Sequence, residues 1–405
     1  MKVCVLGLGY VGLPTAAVLS NFNHQVLGVD INSKVVDTIN KGNVHIHEPD
    51  LADMIKNSVR DKKLRASMTP EEADVFLIVV PTPLTKDKDP DMKFVNQVVY
   101  SVSPHLTEDS LLILESTSPV GSTEKILEDI KRFRPDLFSL SKPLFKLAHC
   151  PERVLPGNVI VELVENDRVV GGINEESTTA AADFYKTFVK GSIFETDCKT
   201  AEMTKLVENS FRDVNIAFAN ELSIICNNLD INVRELISLA NKHPRVNILN
   251  PGVGVGGHCI AVDPWFVVSQ NKDEARMIKT ARQVNDHKTT WVVERVLECL
   301  SGCNSKASVG VLGLSYKQDI DDTRESPGVK IAEKLIEKIG SDNVLCCEPH
   351  LKEGFENLSL FSQDYLIKKC DVLLFCVPHS CFKEISKEKI KNKIVLDYCG
   401  VFEDL

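Results

Sequence analysis

The chain has 405 residues, which is long for one hydrophobic core, so we expect two or three domains. It carries 43% hydrophobic and 26% charged residues, the composition of an ordinary globular protein rather than a disordered or fibrous one. The formal net charge of -10 argues against a nucleic-acid-binding protein, because neutralising phosphates requires clustered Lys and Arg. We therefore expect no nucleic-acid partner.

Thirteen cysteines are scattered along the chain without the CxxC pairs of a zinc site, so we expect reduced thiols, no metal and a cytoplasmic location. The first residues, MKVCVLGLGY, enter a strand and a glycine turn without the regions that mark a signal peptide. The longest uncharged stretch, 246–262, is broken by Asn, His, Pro and several Gly. We therefore expect no membrane anchor.

Short apolar runs alternate with amphipathic or polar segments in the first part of the chain. The runs are KVCVLGLG, QVLGVDIN, ADVFLIVVPTP and LLILESTSPVG. This alternation predicts a parallel sheet covered by helices.

A GxGxxG pattern, formed by Gly7, Gly9 and Gly12, lies directly after the first strand and opens a predicted helix. Gly7 permits a tight turn, Gly9 lets the backbone approach a pyrophosphate, and Gly12 allows close helix packing. Asp30 ends the second strand, where its carboxylate can accept hydrogen bonds from a ribose diol and repel a 2′-phosphate. The pattern predicts NAD rather than NADP as the cofactor. The alternative is a glycine turn that binds nothing.

The middle of the chain is predicted to be helical, because residues 192–243 contain neither Gly nor Pro and show apolar residues at three- and four-residue steps. A second helical run covers about 273–300. On the first helix, Lys205, Asn209 and Arg212 share one face at i, i+4 and i+7. That face is either a solvated stripe or the wall of a cleft, in which Lys205 acts on a substrate oxygen.

The segment PGVGVGGHCIAVDPWF places Cys259 after four glycines and shortly before Asp263. Glycines let a backbone approach a bulky ligand and aim amides at an oxyanion, while a thiol can attack an aldehyde carbon. The alternative is a buried structural cysteine. The surrounding glycines and Asp263 favour a nucleophile.

Glu152, in CPERVLPG, follows the last predicted strand of the first domain. A carboxylate at that place can act on the water of a hydrolytic step. The alternative is a surface glutamate beside a turn.

The strand pattern recurs near the C-terminus, in the same order, as SVGVLGLSYK, NVLCCEPH, CDVLLFCVPHS and KIVLDYCGV. We therefore predict an α/β fold with two doubly wound, Rossmann-like parallel-sheet domains joined by a central helical connector. The predicted ranges are 1–195 for the dinucleotide-binding domain, 196–300 for the connector and 301–405 for the second sheet domain.

The second glycine turn is modified, since Ser315 in GLSYKQDIDDTRESP replaces the second glycine of the fingerprint. Tyr316 and Lys317 can meet a phosphate or a sugar, and Arg324 can reach toward the other nucleotide. The alternative is that this segment is a run of charged residues exposed to solvent.

The segments GLGYVGLP, VPTP, STSPVGST, PERVLPG, KLVEN, GVGGHCIAVDPWF and GLSYKxxxDDxRESP together resemble the UDP-glucose/GDP-mannose dehydrogenase family across nearly the whole chain. The resemblance implies NAD-dependent oxidation of the C6 alcohol of a UDP-sugar to a carboxylate, with two NAD consumed per sugar. ERVLPGN, HPRVNILNPGVGVGGHCIAVDPWF and ARQVNDHK favour the branch that oxidises UDP-N-acetyl-D-mannosamine for surface polysaccharides. UDP-N-acetylglucosamine and UDP-glucose are the alternative substrates.

Residue roles follow from the same resemblance. The implied catalytic residues are Cys259 as nucleophile, Lys205 and Asn209 at the substrate oxygen, Asp263 as their support, and Thr117 and Glu152 as the residues that position water. The implied substrate contacts are Arg153, Val154, Lys205, Asn209, Arg212, His243, Arg245, Gly256, Tyr316 and Lys317. The implied cofactor contacts are Gly7, Gly9, Tyr10, Val11, Gly12, Asp30, Thr82, Thr117 and Arg324. Because the family places Arg245 in a neighbouring subunit's site, we expect a homodimer or larger homo-oligomer, with dimer contacts in 196–300 and the UDP-sugar on 301–405.

Two departures from the family pattern bear on the substrate. The UDP-glucose branch carries a second acid four residues after the position of Glu152, where this chain has Pro156. This disfavours UDP-glucose. Near relatives carry a basic residue after the final GV-aromatic, but Phe402 is followed by Glu403 and Asp404, which predicts one missing substrate contact.

Two other functions compete with this hypothesis. A two-electron hydroxyacid dehydrogenase would use only Lys205 and Asn209, and would leave Cys259 and the second sheet domain without a role. A non-catalytic dinucleotide sensor would bind NAD and produce no NADH with any nucleotide sugar.

Overall fold

The computed structural model describes residues 1–140, 142–155, 157–302, 307–351 and 358–402. The chain divides into two units, Met1–Glu208 and Asn209–Leu405.

The first unit contains a large sheet of short strands, and its central strands are buried. Its strands are β1 (Lys2–Leu6), β2 (Gln25–Val29), β3 (Leu64–Ser67), β4 (Val75–Ile78), β5 (Leu111–Leu114), β6 (Phe138–Ser139), β7 (Lys142–Pro143), β8 (Lys146–His149), β9 (Arg168–Gly172) and β10 (Ile193–Asp197). Eight of them form one sheet in the order β10-β9-β8-β5-β4-β1-β2-β3, and β6 pairs with β7. β8 pairs with β9 antiparallel, while the other neighbours in the large sheet are parallel.

Helices cover both faces of this sheet. They are α1 (Gly12–Asn21), α2 (Ser33–Asn40), α3 (Leu51–Arg60), α4 (Lys93–Val102), α5 (Ser122–Phe133), α6 (Val159–Glu165) and α7 (Glu175–Tyr185). Alternate residues of β1 enter two different cores: Val3 and Val5 pack with α1 and α3, whereas Cys4 and Leu6 pack with α4 and α5. Because both faces of the strands are buried, they are continuously apolar. The doubly wound prediction is confirmed.

Two long helices and two short ones occupy the middle of the chain. They are α8 (Cys198–Asn228), α9 (Val233–Ala240), α10 (Asp263–Gln270) and α11 (Arg276–Ser301). The helical prediction for 192–243 is right from Cys198 onward, but Ile193–Asp197 forms the edge strand β10. The lack of Gly and Pro does not separate strand from helix, and this segment has β9 to pair with.

The second unit contains a smaller parallel sheet. Its strands are β11 (Val309–Leu312), β12 (Val344–Cys347), β13 (Val372–Phe375) and β14 (Ile394–Asp397), and its remaining helices are α12 (Pro327–Ile339), α13 (Gln363–Lys369), α14 (Ser380–Lys383) and α15 (Lys387–Ile390). The sheet order is β12-β11-β13-β14, which repeats the order β2-β1-β4-β5 of the first unit. The repeated sequence pattern therefore corresponds to a repeated topology. The predicted ranges 1–195, 196–300 and 301–405 stay a prediction.

Among the helices of the described ranges, none combines the length and the apolar character that crossing a bilayer requires. No disulfide joins the cysteines that these ranges contain.

Candidate active site

The glycine turn connects β1 to α1. Gly7 has a φ of 97°, in the left-handed region that favours glycine, and an added Cβ on Gly12 would lie 1.9 Å from the Gly7 carbonyl oxygen. An added Cβ on Gly9 would meet no atom within 4 Å. The first and third glycines therefore close the turn, while the second borders open space at a helix N-terminus, which fits a pyrophosphate.

Asp30 lies beside this turn, at the end of β2. Its Oδ2 accepts a hydrogen bond from the Leu8 amide (3.0 Å), and its Oδ1 accepts one from the Asn32 amide (2.9 Å). These bonds hold the carboxylate at the carboxyl edge of the sheet, next to the glycine turn. A dinucleotide whose pyrophosphate lies at Gly9 would bring its ribose diol to this carboxylate, so the residues present fit NAD.

Thr82 and Thr117 meet at the same edge of the sheet. Each follows a neighbouring strand, β4 or β5, and the Thr82 hydroxyl donates to the Thr117 carbonyl oxygen at 2.7 Å. Tyr10 and Val11 belong to the glycine turn, and Tyr10 is half exposed. The predicted cofactor residues of the first unit thus follow β1, β2, β4 and β5, at one end of a parallel sheet.

Glu152 follows β8 and contacts buried groups. Its Oε1 accepts from the Arg153 amide at 2.6 Å, and its Oε2 lies 3.1 Å from Nη1 of Arg168. The Arg168 side chain is only 2% exposed, whereas that of Glu152 is 11% exposed. One carboxylate oxygen of Glu152 is therefore held by a buried cation.

Arg153 pairs with the helix α8. Its Nη2 lies 2.7 Å from Oε1 of Glu208, and both side chains are about one third exposed. Val154 is half-buried and packs against the core that contains α1.

Lys205 is half-buried on α8, one turn after the buried Glu202. The Glu202 carboxylate accepts from the Gly121 amide (2.6 Å), the Thr123 amide (2.7 Å) and the Thr123 hydroxyl (2.6 Å). It thereby caps the N-terminus of α5 and connects the helix of Lys205 to the segment that follows Thr117.

In the second unit, Asn209 and Asp263 form a buried pair. Nδ2 of Asn209 donates to Oδ2 of Asp263 at 2.6 Å, and the two residues are 4% and 3% exposed. Asp263 is the first residue of α10, and its amide donates to the Cys259 carbonyl oxygen at 2.8 Å. Three predicted catalytic residues are therefore connected through two hydrogen bonds.

The glycine-rich segment before Cys259 is held by α8 and α11. The Gly252 amide donates to Oδ1 of Asn220 at 2.9 Å, and the hydroxyl of Thr289 donates to the Val253 carbonyl oxygen at 3.0 Å. The Cys259 side chain is half-buried. Cys259, the predicted nucleophile, therefore follows a segment that hydrogen bonds fix to two helices.

The same segment packs against the modified glycine turn. An added Cβ on Gly256 would lie 2.8 Å from Cβ of Tyr316, and the Gly257 amide donates to the Arg324 carbonyl oxygen at 3.0 Å. Burial, and after it the Asp322 carboxylate, raises the pKa of Tyr316. Glycines are needed here because the segment lies against the ring of Tyr316.

Lys317 and Arg324 have exposed side chains, and Arg324 forms an ion pair with Asp322 at 2.5 Å. Three other predicted substrate residues, Arg212, His243 and Arg245, are also exposed. His243 and Arg245 share the turn after α9, where Nδ1 of His243 accepts from the Arg245 amide at 3.3 Å. Pro156, Glu403 and Asp404, on which two substrate arguments depend, lie outside the described residues.

A side-chain cluster that the sequence analysis missed lies near the second glycine turn. One ligand atom each from Asp319, His350 and His379 lies within 4.8 Å of the other two, as a metal site would require. However, Nδ1 of His379 accepts from the Asp319 amide (3.0 Å), and its Nε2 bonds Glu348 (3.1 Å). Both ring nitrogens of the buried histidine are engaged, so the cluster has an explanation without a metal.

Other residues of interest were also missed. Glu202 and Arg168, which hold the elements around Lys205 and Glu152, are far in sequence from the groups they contact, and no local pattern marks them.

Comparison with known families matches the whole arrangement. The UDP-glucose/GDP-mannose dehydrogenase family matches through its NAD binding domain over residues 1–189, its central domain over 199–287 and its UDP binding domain over 310–404.

Relatives are similar along their full length. A UDP-N-acetyl-D-mannosamine dehydrogenase of Escherichia coli (strain K12) is 51% identical over 415 residues, which cover 99% of each chain. An NDP-N-acetyl-D-galactosaminuronic acid dehydrogenase of Ralstonia nicotianae is 46% identical over 408 residues, covering 99% of this chain and 96% of the relative. A solved UDP-D-ManNAc dehydrogenase from Pyrococcus horikoshii superposes with a TM-score of 0.92 at 36% identity, covering 100% of this chain and 97% of that one. With all three domains in order and relatives matched end to end, the chain belongs to the UDP-glucose/GDP-mannose dehydrogenase family.

Proposed function

We propose that the chain oxidises the C6 primary alcohol of UDP-N-acetyl-D-mannosamine to the carboxylate, forming UDP-N-acetyl-D-mannosaminuronate. The full-length similarity to the Escherichia coli and Pyrococcus horikoshii dehydrogenases supports this substrate. The observation that carries the chemistry is the Asn209–Asp263 pair, whose 2.6 Å hydrogen bond connects to the backbone of the Cys259 segment.

The role of Cys259 is to retain the aldehyde between two oxidations. NAD held at the glycine turn and Asp30 would supply the hydride acceptor for both oxidations. After the first oxidation, Sγ of Cys259 bonds to C6 and the carbonyl oxygen gains a proton, which gives a thiohemiacetal. Loss of the second hydride and of the hydroxyl proton leaves a thioester. Water then adds to C6, the C6–Sγ bond breaks, and the carboxylate is released.

Lys205 and Asn209 act on the substrate oxygen in this proposal. A lysine beside the C6 oxygen can exchange its proton as the carbonyl forms, and an amide can donate to the developing oxyanion. Asp263 accepts from one side of the Asn209 amide, which leaves the other N–H direction of that NH2 group for the substrate. Asp263 is therefore an orienting residue.

Glu152 and Thr117 position the hydrolytic water. Glu152 keeps one oxygen on Arg168 and is partly exposed, so the same carboxylate can accept a proton from water.

The substrate is held chiefly by polar and cationic side chains. We assign to it Arg153, Val154, Lys205, Asn209, Arg212, His243, Arg245, Gly256, Tyr316 and Lys317. Exposed cations suit a diphosphate. We keep the ranges 1–195, 196–300 and 301–405 as NAD-binding, dimerisation and UDP-sugar-binding segments.

A homodimer in the cytoplasm is the proposed state of the protein. On α8, four apolar residues (Val207, Phe211, Phe218 and Ile225) are 44–67% exposed. At about 100° per residue they lie within about 40° of one another around the helix, opposite Lys205 and Asn209. An exposed apolar stripe of this length suits burial against a second copy of the chain.

The experiment is a count of NADH produced per sugar. The purified protein is incubated with NAD and, in separate reactions, with UDP-N-acetylmannosamine, UDP-N-acetylglucosamine, UDP-N-acetylgalactosamine or UDP-glucose. We expect two NADH per sugar with the mannosamine compound. Two NADH with another sugar instead would show that the other sugar is the substrate. One NADH per sugar would favour the two-electron dehydrogenase. No NADH with any of the sugars would favour the dinucleotide sensor.

A further inference from the structure

A group of buried ionisable side chains lies behind Glu152. Besides Arg168, it contains Glu115 directly after β5, Cys150 after β8 and Tyr185 on α7. Glu115 is 2% exposed, and both Cys150 and Tyr185 are fully buried. Four acidic groups, counting Glu152, therefore surround a single cation.

The hydrogen bonds pair Arg168 with Glu152 and not with Glu115. Arg168 reaches Glu152 at 3.1 Å and places its other terminal nitrogen on the Leu163 carbonyl oxygen at 3.1 Å. Its guanidinium also lies over the Tyr185 ring, 5.6 Å from the ring centroid. Glu115 instead accepts from the Tyr185 hydroxyl at 2.5 Å, and its second oxygen has no hydrogen-bond partner in the part of the chain that the structure describes.

We propose that Glu115 is a positioning residue that competes with Glu152, the base of the hydrolytic step, for the charge of Arg168, so that the protonation of Glu115 sets how firmly Arg168 holds Glu152. This inference rests on the proposed function only for the role of Glu152. The charge pairing depends only on the contacts of Glu115, Arg168 and Tyr185, so it holds whatever reaction the protein catalyses.

The physical reason is the cost of a second buried anion. One buried guanidinium balances one carboxylate, and a second anion without its own cation would lose hydration without compensation. Burial first, and then the charge of Glu152, raises the pKa of Glu115 to about 7. Burial also raises the pKa of Cys150 to about 12 and that of Tyr185, which keeps both neutral.

The arrangement has a consequence for hydrolysis. When Glu115 loses its proton, its negative charge competes with Glu152 for Arg168, so Arg168 holds the Glu152 carboxylate less firmly and leaves it more available to a water proton. In the hydrolytic step Glu152 accepts the proton of water, the water oxygen bonds to C6, and Sγ leaves as a thiolate. Hydrolysis should therefore accelerate as Glu115 ionises.

Direct titration tests the charge pairing without catalysis. In protein labelled with ¹³C at the glutamate carboxyls, we expect one resonance with a midpoint near 7, absent in Glu115→Gln. The midpoint should fall in Glu152→Gln, because a like charge is removed, and rise in Tyr185→Phe, because a hydrogen-bond donor is removed. Glu175→Gln, an exposed position on α7, is the matched control and should leave it unchanged. A midpoint that does not move in Glu152→Gln would overturn the proposal.

The pH dependence of turnover tests the catalytic consequence. The hydrolytic rate is taken from the steady-state NADH rate after the two-NADH burst. It should rise across about pH 6 to 8 in the wild type and stay flat in Glu115→Gln, with unchanged KM for the sugar. The rise should shift to higher pH in Tyr185→Phe. A rise retained in Glu115→Gln would refute the inference, whereas a wild type that makes no NADH would refute the proposed function and leave the titration to decide the pairing.

Discussion

At the scale of single residues, the site depends on side chains whose chemistry cannot be exchanged for that of near-isosteric neighbours. A serine hydroxyl is a far weaker nucleophile than a cysteine thiol at neutral pH, although the two differ by one atom. An alanine in place of an aspartate removes an acceptor that holds a neighbouring amide. These differences give two activity predictions and one stability prediction.

Cys259→Ser should abolish uronate formation, with a loss of at least about a thousandfold, because the aldehyde is no longer captured for its second oxidation. The measurement is mass spectrometry of the sugar product together with the NADH count. Cys381→Ser, at another half-exposed cysteine, is the control and should retain the wild-type rate. Uronate made at the normal rate by Cys259→Ser would exclude a covalent mechanism.

Asp263→Ala should lower kcat by about tenfold to a hundredfold, since a hydrogen bond to a charged group is worth about 1.5–3 kcal/mol. The 2.6 Å bond from Asn209 is lost and the amide is no longer oriented. Asp263→Asn keeps an acceptor oxygen and should recover part of the rate. Steady-state kinetics decides between these outcomes, and a wild-type kcat in Asp263→Ala would contradict the orienting role.

Glu115→Gln should flatten the pH dependence of stability. The pKa of Glu115 is about 7 in the folded protein against a usual value of 4.5, so the folded state holds an extra proton between these values. The contribution of this group to stability is complete below about pH 4.5 and is lost as pH rises through about 7. At pH 8 the glutamine variant should therefore be the more stable one, by up to about 3 kcal/mol. Urea unfolding at pH 5 and pH 8 measures the difference, and equal shifts at both values would contradict it.

At the scale of elements, the pair α8 and α11 supports the segment of Cys259. Asp213 on α8 and Arg282 on α11 form an ion pair at 2.7 Å with side chains 0% and 3% exposed, and Asn285 donates to the same carboxylate at 2.8 Å. Asn285 also accepts from Asn220, which in turn holds the Gly252 amide. One polar network thus extends from the helix pair to the glycine-rich segment.

Asp213→Ala should destabilise the protein by about 3–5 kcal/mol, because it leaves the Arg282 cation buried without its partner. Chemical unfolding measures this free energy. The matched control is Glu128→Ala, which removes an exposed i,i+3 pair with Lys125 and should cost less than about 1 kcal/mol. A similar loss of unfolding free energy in the two variants would show that burial does not determine how much an ion pair contributes to stability.

At the scale of the whole molecule, self-association is the prediction that depends on the surface of α8. Phe211→Asp with Phe218→Asp should convert the proposed dimer to a monomer in light scattering, because two charges would be buried in an apolar interface. Leu140→Asp, at a leucine that is 99% exposed in the first unit, should leave the mass unchanged. A wild-type monomer would refute the dimer.

The fold class could be predicted because it depends on local pattern. The runs at β1, β4 and β5 are buried on both faces, so their continuous apolar character indicated a parallel sheet. Strands β3, β9 and β10 were not predicted, and in the two edge strands the alternating LRAS and the mixed IFETD carry no such run. Edge strands depend on the neighbour they pair with, and local sequence does not contain that neighbour.

What the sequence by itself determined is the chemistry that short segments carry. The glycine turn with Asp30 and the glycines before Cys259 reflect local backbone requirements. Their function could therefore be predicted from the sequence. Only the tertiary structure decided how the strand order brings Glu115, Glu152 and Arg168 around one charge. Those residues lie directly after β5, on the segment after β8 and on β9, and sheet pairing rather than sequence spacing makes them neighbours. Burial then sets their protonation, because the cost of a charge depends on the surroundings that the fold creates.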